Sequence, residues 1–151
     1  MTMALTEGKT VNGKKDGYWI TYYANGNKRS EGYFRMGVKD GNWIQYHSNG
    51  NKKSEGRFKN GLNEGWYVCW HENGTRQWEG DYGPHVGKSY DGKKEGRWMC
   101  YSAKDGETVW RTIEYKHGTR TKPDEYPLGS CSSCGDPIHD LDTDRCPVCS
   151  G

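Results

Sequence analysis

Bulky apolar and polar residues alternate along this chain in short runs, and the runs recur. GYWITYYANGNKRSEGYF at 17–34 returns as GNWIQYHSNGNKKSEGRF at 41–58 and as GWYVCWHENGTRQWEGDY at 65–82. A looser copy, GRWMCYSAKDGETVWRTIEY, starts at Gly96. Alternation at period two, carried by Trp, Tyr, Ile, Val and Thr, predicts half-buried strands, and no stretch carries the period of a useful helix. Gly17, Gly41 and Gly65 are spaced by 24 residues, and Gly96 follows after 31. A period of this length marks stacked supersecondary units. Each unit holds one turn dipeptide, Asn25-Gly26, Asn49-Gly50, Asn73-Gly74 and Asp105-Gly106. Such a dipeptide between strand-like runs predicts a two-residue hairpin loop of type I′.

That loop length sets a cross-strand register. Trp19 faces Gly32 and Phe34 faces Gly17; Trp43 faces Gly56 and Phe58 faces Gly41; Tyr67 faces Gly80 and Tyr82 faces Gly65. Each ring is thus expected to fold over a bare backbone, and the rings to stack from unit to unit into one apolar face. In the fourth unit Trp98 faces Ile113, as suits an atypical end unit. On the opposite face the register pairs Tyr22 with Arg29, Tyr46 with Lys53, Trp70 with Gln77 and Tyr101 with Trp110, and sets Ile20, Ile44 and Val68 against Glu31, Glu55 and Glu79. The row Tyr22, Tyr46, Trp70, Tyr101, with Arg29 and Lys53 beside it, reads either as a solvated face of cross-strand pairs or as a docking strip for a partner.

GKKDGYWITYYANGNKRSEGYFRMG, residues 13–37, resembles the MORN-repeat family in its bacterial and phage variant. The resemblance covers Gly13 to about Gly118, in three close copies and one degraded one. It implies a single-layer, elongated antiparallel sheet of stacked β-hairpins. Some bacterial members are described as antitoxins, and eukaryotic relatives as membrane-associating or protein-binding scaffolds; the family has no catalytic residues to carry over. The expected organisation is all-β. A leader strand lies within 1–12, the repeat array occupies 13–118, a linker 119–130, and a zinc ribbon 131–151. The chain departs from the pattern at 82–91, where YGPHVGKSYD adds seven residues, as a functional loop or a harmless bulge.

Composition sharpens this picture. Only 31% of the 151 residues are hydrophobic, yet 13% are aromatic and 22 are glycine. Disorder is excluded by the rings, and a thick two-layer core by the scarcity of aliphatics. No apolar run spans a bilayer, and MTMALTEGKTV lacks the basic and apolar regions of a secretory signal, so a cytoplasmic location is expected. In that setting six cysteines point to metal rather than disulfides. CSSCGDPIHDLDTDRCPVCSG places Cys131, Cys134, Cys146 and Cys149 as two C-x2-C pairs eleven residues apart, a spacing suited to a tetrahedral structural zinc site, with iron the runner-up metal. The tail is too short for a core of its own, so metal would supply its folding energy. His139 lies between the pairs and is surplus to a shell of four. Cys69 and Cys100 occupy one repeat position and are read as packing residues, with a redox pair as the alternative.

Charge separates the remaining functions. The chain carries +2; from Cys131 onward it carries −3, and the rest +5. A metal-bound tail is more acidic still and would repel phosphate. No G-x-S-x-G, phosphate-binding glycine loop or H-E-x-x-H occurs, and four thiolates leave zinc no open position, so no enzyme is expected. The leading expectation is a protein-interaction module whose partner is a toxin, an assembly subunit or a second copy. The alternative is nucleic acid or anionic lipid bound through hairpin-edge cations: Lys14, Lys15, Lys28, Arg29, Lys52, Lys53, Lys93 and Lys94.

Overall fold

The computed structural model describes residues 6–84 and 92–121. They form ten strands: β1 (Thr6–Val11), β2 (Lys14–Tyr22), β3 (Lys28–Arg35), β4 (Val38–Tyr46), β5 (Lys52–Lys59), β6 (Leu62–Trp70), β7 (Arg76–Tyr82), β8 (Lys94–Tyr101), β9 (Val109–Lys116) and β10 (Thr119–Arg120). All lie in one antiparallel sheet in chain order, and no helix occurs among the described residues. The expected all-β, single-layer array of hairpins is therefore the observed one.

The inner register follows the alternation. Gly17 pairs with Phe34, Trp19 with Gly32 and Ile20 with Glu31, and β4–β5 and β6–β7 repeat these pairs at their own positions. Next to the loop the expectation fails. Tyr22 pairs with Lys28 rather than Arg29, Tyr46 with Lys52 rather than Lys53, Trp70 with Arg76, and Tyr101 with Val109. The reason is the turn. Tyr23 N–H donates to the Asn27 carbonyl and Gly26 N–H to that of Tyr23, closing a three-residue loop in which Gly26, at φ 86°, is left-handed and Asn25 is not. Asn25 contributes through its side chain, accepting from Asn27 N–H at 3.0 Å. A bulge at Arg29 then restores the outer register. The two-residue type I′ loops sit at the other edge of the sheet, between units, where Met36-Gly37 and Asn60-Gly61 both take positive φ.

The rings also lean the other way. Trp43 is in register with Gly56, yet its indole lies over Gly32, on the strand before it; a Cβ there would sit 2.4 Å from Trp43 Cδ2. Trp19 covers Gly8, Tyr67 covers Gly56 and Trp98 covers Gly80 in the same way. Each indole N–H reaches the carbonyl one residue past its glycine: Trp19 to Lys9, Trp43 to Tyr33, Trp98 to Asp81, at 2.9–3.1 Å. The rings therefore tie a unit to its predecessor instead of closing their own hairpin. Edge-to-face contacts continue the row through Phe34–Trp43 and Tyr82–Trp98, with centroids 4.9 and 5.1 Å apart. Lys15, Lys39 and Lys94 lay their ammonium groups over it, 4.4–4.6 Å from the nearest indole centroid.

Gly17 and its counterparts serve a different purpose from the one expected. A Cβ on Gly17 would meet nothing within 4 Å; what Gly17 supplies is φ 82°. There the strand bulges between the Glu7–Ile20 and Lys9–Asp16 pairs. The last unit pairs Trp98 with Ile113, and Ile113 and Tyr115 are buried with Trp98 in one apolar cluster. Among the described residues no ring from a following strand lies over position 113, and an aliphatic side chain fills the place.

Candidate docking surfaces

The hairpin loops are laced together by amides. Asn25 and Asn27 Nδ2 both donate to the Ser48 carbonyl, and Asn49 and Asn51 Nδ2 to that of Glu72. Tyr23 hydroxyl reaches the Tyr46 carbonyl at 2.7 Å, and His47 Nε2 donates to that of Trp70 at 2.9 Å. These ties hold the loop edge in step, so groups mounted beside it have fixed separations.

On the face away from the indoles, phenols and carboxylates form a ladder. Tyr22 hydroxyl donates to Glu7 at 3.1 Å, Tyr46 to Glu31 and Tyr101 to Glu79. Glu31, itself buried, also accepts from Tyr18 and Lys28, each at 2.7 Å. Burial, and then the carboxylates they donate to, push Tyr18 and Tyr101 up to about 12 and raise Tyr46. Burial alone would raise Glu31, but the hydrogen bonds from Lys28, Tyr46 and Tyr18 outweigh it and leave its carboxyl below the usual range. Trp70 lacks a hydroxyl for Glu55; Lys52 pairs with Glu55 at 2.7 Å and stands 5.6 Å over the Trp70 ring instead.

The row chosen from spacing is accordingly a cross-strand ladder. Tyr22, Tyr46 and Trp70 are half-buried and Tyr101 is buried. Arg29 and Lys53, displaced onto bulges, are exposed. Tyr22, Tyr46, Arg29 and Lys53 line one hollow of about 460 Å3 with Thr21 and Ser30, whereas Trp70 and Tyr101 lie apart from it. The hollow offers two cations, hydroxyls and phenol edges, a set suited to an anionic or hydrogen-bonding partner surface.

Spacing missed the rings that stand out. Tyr18, Tyr33 and Trp66 are 44%, 54% and 48% exposed. Tyr18 and Tyr33 close on each other, with centroids 5.0 Å apart, and Trp66 borders a second hollow of about 820 Å3. The positions equivalent to Tyr18 hold Asn42, Trp66 and Arg97, so no repeat signal singles them out; only the pairing of each with its cross-strand neighbour does.

Cys69 and Cys100 each pair with Trp78 from opposite sides, so a strand separates them, and neither forms a disulfide. Burial pushes the Cys69 thiol up to about 12, which keeps it protonated and inert at neutral pH. Cys131, Cys134, Cys146, Cys149 and His139 lie outside the described residues, as do 85–91 of the insertion. No helix among the described residues is long and apolar enough to cross a membrane.

A comparison with curated proteins found no match. Two successive hairpins do match a family: residues 15–36, from β2 through β3, and 39–60, from β4 through β5, each fit the model of the MORN repeat variant, and over those spans the chain is similar to it.

Proposed function

We propose that the chain is a non-catalytic interaction module that captures another protein, as an antitoxin or an assembly component. What carries this reading is the gathering of Tyr22, Tyr46, Arg29 and Lys53 around one hollow on an array whose loops and rings hold them rigidly apart. The match to a repeat family of interaction modules supports it. The polyanion alternative has fewer charges to work with than the sequence suggests. Of its eight cations, Lys15 and Lys94 cover rings and Lys28 and Lys52 pair with glutamates. The test is capture from native lysate read by mass spectrometry, comparing wild type with Arg29→Ala/Lys53→Ala. Both side chains are exposed, so stability should change by no more than about 0.5 kcal/mol. A specific protein lost from the variant supports the reading. Equal capture, or salt-sensitive retention of nucleic acid alone, defeats it.

We propose in addition that Cys131, Cys134, Cys146 and Cys149 hold one structural Zn2+ as four thiolates, on the strength of their paired spacing. Metal analysis should find about one zinc per wild-type chain and none in Cys131→Ser/Cys149→Ser. Iron in place of zinc, or zinc retained by the variant, refutes the assignment.

A further inference from the structure

We propose that the groove beside Trp66 receives an arginine or lysine side chain from an extended basic segment of a protein partner. The proposal rests on the interaction reading above and names the chemistry of one contact. Trp66 and Asp81 are register partners on β6 and β7, so an indole and a carboxylate stand side by side on one face. Trp66 is 48% exposed with no ring or cation against it among the described residues, and the groove it borders is lined by Val68, by Glu55, Glu64, Asp81 and Glu95, and by Arg57, whose guanidinium is turned to Glu64.

Three of those carboxylates already have company. Glu55 pairs with Lys52, Glu64 lies 3.7 Å from both Arg57 and Lys59, and Glu95 accepts the His117 backbone N–H at 2.7 Å. Asp81 is exposed and has no cation within ion-pair distance among the described residues. The other units show how this pair of positions is otherwise completed. In the first, Tyr18 and Tyr33 cover each other. In the second, Asn42 faces Arg57, whose charge turns to Glu64. In the fourth, Arg97 faces Glu114, so the carboxylate has a cation opposite it. Among the described residues, the third unit alone presents a carboxylate beside an open ring with no cation against either. A guanidinium stacked on the indole would gain the ring's negative face and the Asp81 charge together, a geometry that suits Arg better than Lys.

The test uses the full chain and an acetylated, amidated hexa-arginine peptide, with a hexa-citrulline peptide as its uncharged isostere, by titration calorimetry. Trp66→Ala and Asp81→Asn should each weaken arginine-peptide binding about tenfold, Tyr18→Ala should leave it unchanged, and the citrulline peptide should not bind. Combining Trp66→Ala with Asp81→Asn should cost less than the two separate losses added, since both act on one bound group. Unchanged binding in Trp66→Ala and Asp81→Asn overturns the site, as does an equal loss in Tyr18→Ala. If wild type self-associates in sedimentation and both variants abolish it, the occupant is a second copy and the partner assignment falls. Peptide binding is read without any lysate, so the groove can stand while the capture experiment fails, and the reverse.

Discussion

Trp43 is 5% exposed, bedded on Gly32 with its N–H given to a neighbouring carbonyl; Trp66, two strands on and facing the other way, is 48% exposed and has no ring beside it among the described residues. One sheet thus carries two kinds of aromatic surface. On the indole face Trp19, Trp43, Tyr67 and Trp98 each answer to a glycine on the strand before, so ring and glycine must be kept together. On the opposite face only the Tyr–Glu ladder is shared between units, and the positions of Tyr18, Asn42, Trp66 and Arg97 are free to differ. Stacking is therefore enforced on one side, and identity is expressed on the other.

The largest expected effect tests that division directly. Trp43→Ala should lower stability by about 3–5 kcal/mol, read from urea denaturation, because a buried indole leaves a cavity across two units. If it costs no more than Trp66→Ala, the two faces are not built differently. Gly32→Ala should follow at about 2–3 kcal/mol, since its methyl would overlap the Trp43 indole, and should exceed Gly17→Ala, where only backbone strain of about 1–2 kcal/mol applies. The reverse order would mean that the ring moves aside at little cost.

Glu31→Gln should cost about 1–2 kcal/mol at pH 7, through weaker hydrogen bonds from Lys28, Tyr18 and Tyr46. The folded carboxyl lies below its unfolded value, so its stabilisation is present above the unfolded pKa and is lost as pH falls through the folded one. The gap between wild type and Glu31→Gln should then close as pH falls below the ordinary carboxylate range. A gap that holds constant from pH 7 to pH 2 would remove the ionised ladder from the account. Smallest of all, Tyr33→Ala should lower stability by no more than about 0.5 kcal/mol in the same urea titration, apart from the lost Tyr18 contact. A loss as large as that of Trp43→Ala would show that the variable face is core as well.

Much of the fold was legible because alternation and a 24-residue period leave few options: the stacked hairpins and the pairs Trp19–Gly32 and Ile20–Glu31 follow from them, whereas β10 falls where a linker was expected. The turn was misread because Asn-Gly suits two loops. Asn25 spends its side chain on Asn27 and Ser48 rather than taking positive φ, and the extra loop residue moves Tyr22 and Tyr46 by one partner. The lean of the indoles was hidden for another reason. Trp43 has a glycine on either side, Gly32 and Gly56, and letters alone do not say which the ring covers; the bulge at Gly41 and the carbonyl of Tyr33 decide it. Spacing found Tyr22, Tyr46, Trp70 and Tyr101 because they recur, and it overlooked Trp66 because it does not.

The backward lean of the rings gives the array a direction, like a polymer with distinct starting and stopping ends. Gly8 on β1 is a primer: it accepts a unit without belonging to one. Ile113 is a terminator, since a methyl-branched side chain stands where the next ring would rest. Between them the length is open to change, and an in-frame duplication of residues 39–62 should be absorbed without disturbing either end, whereas one appended after Tyr115 would find no seat.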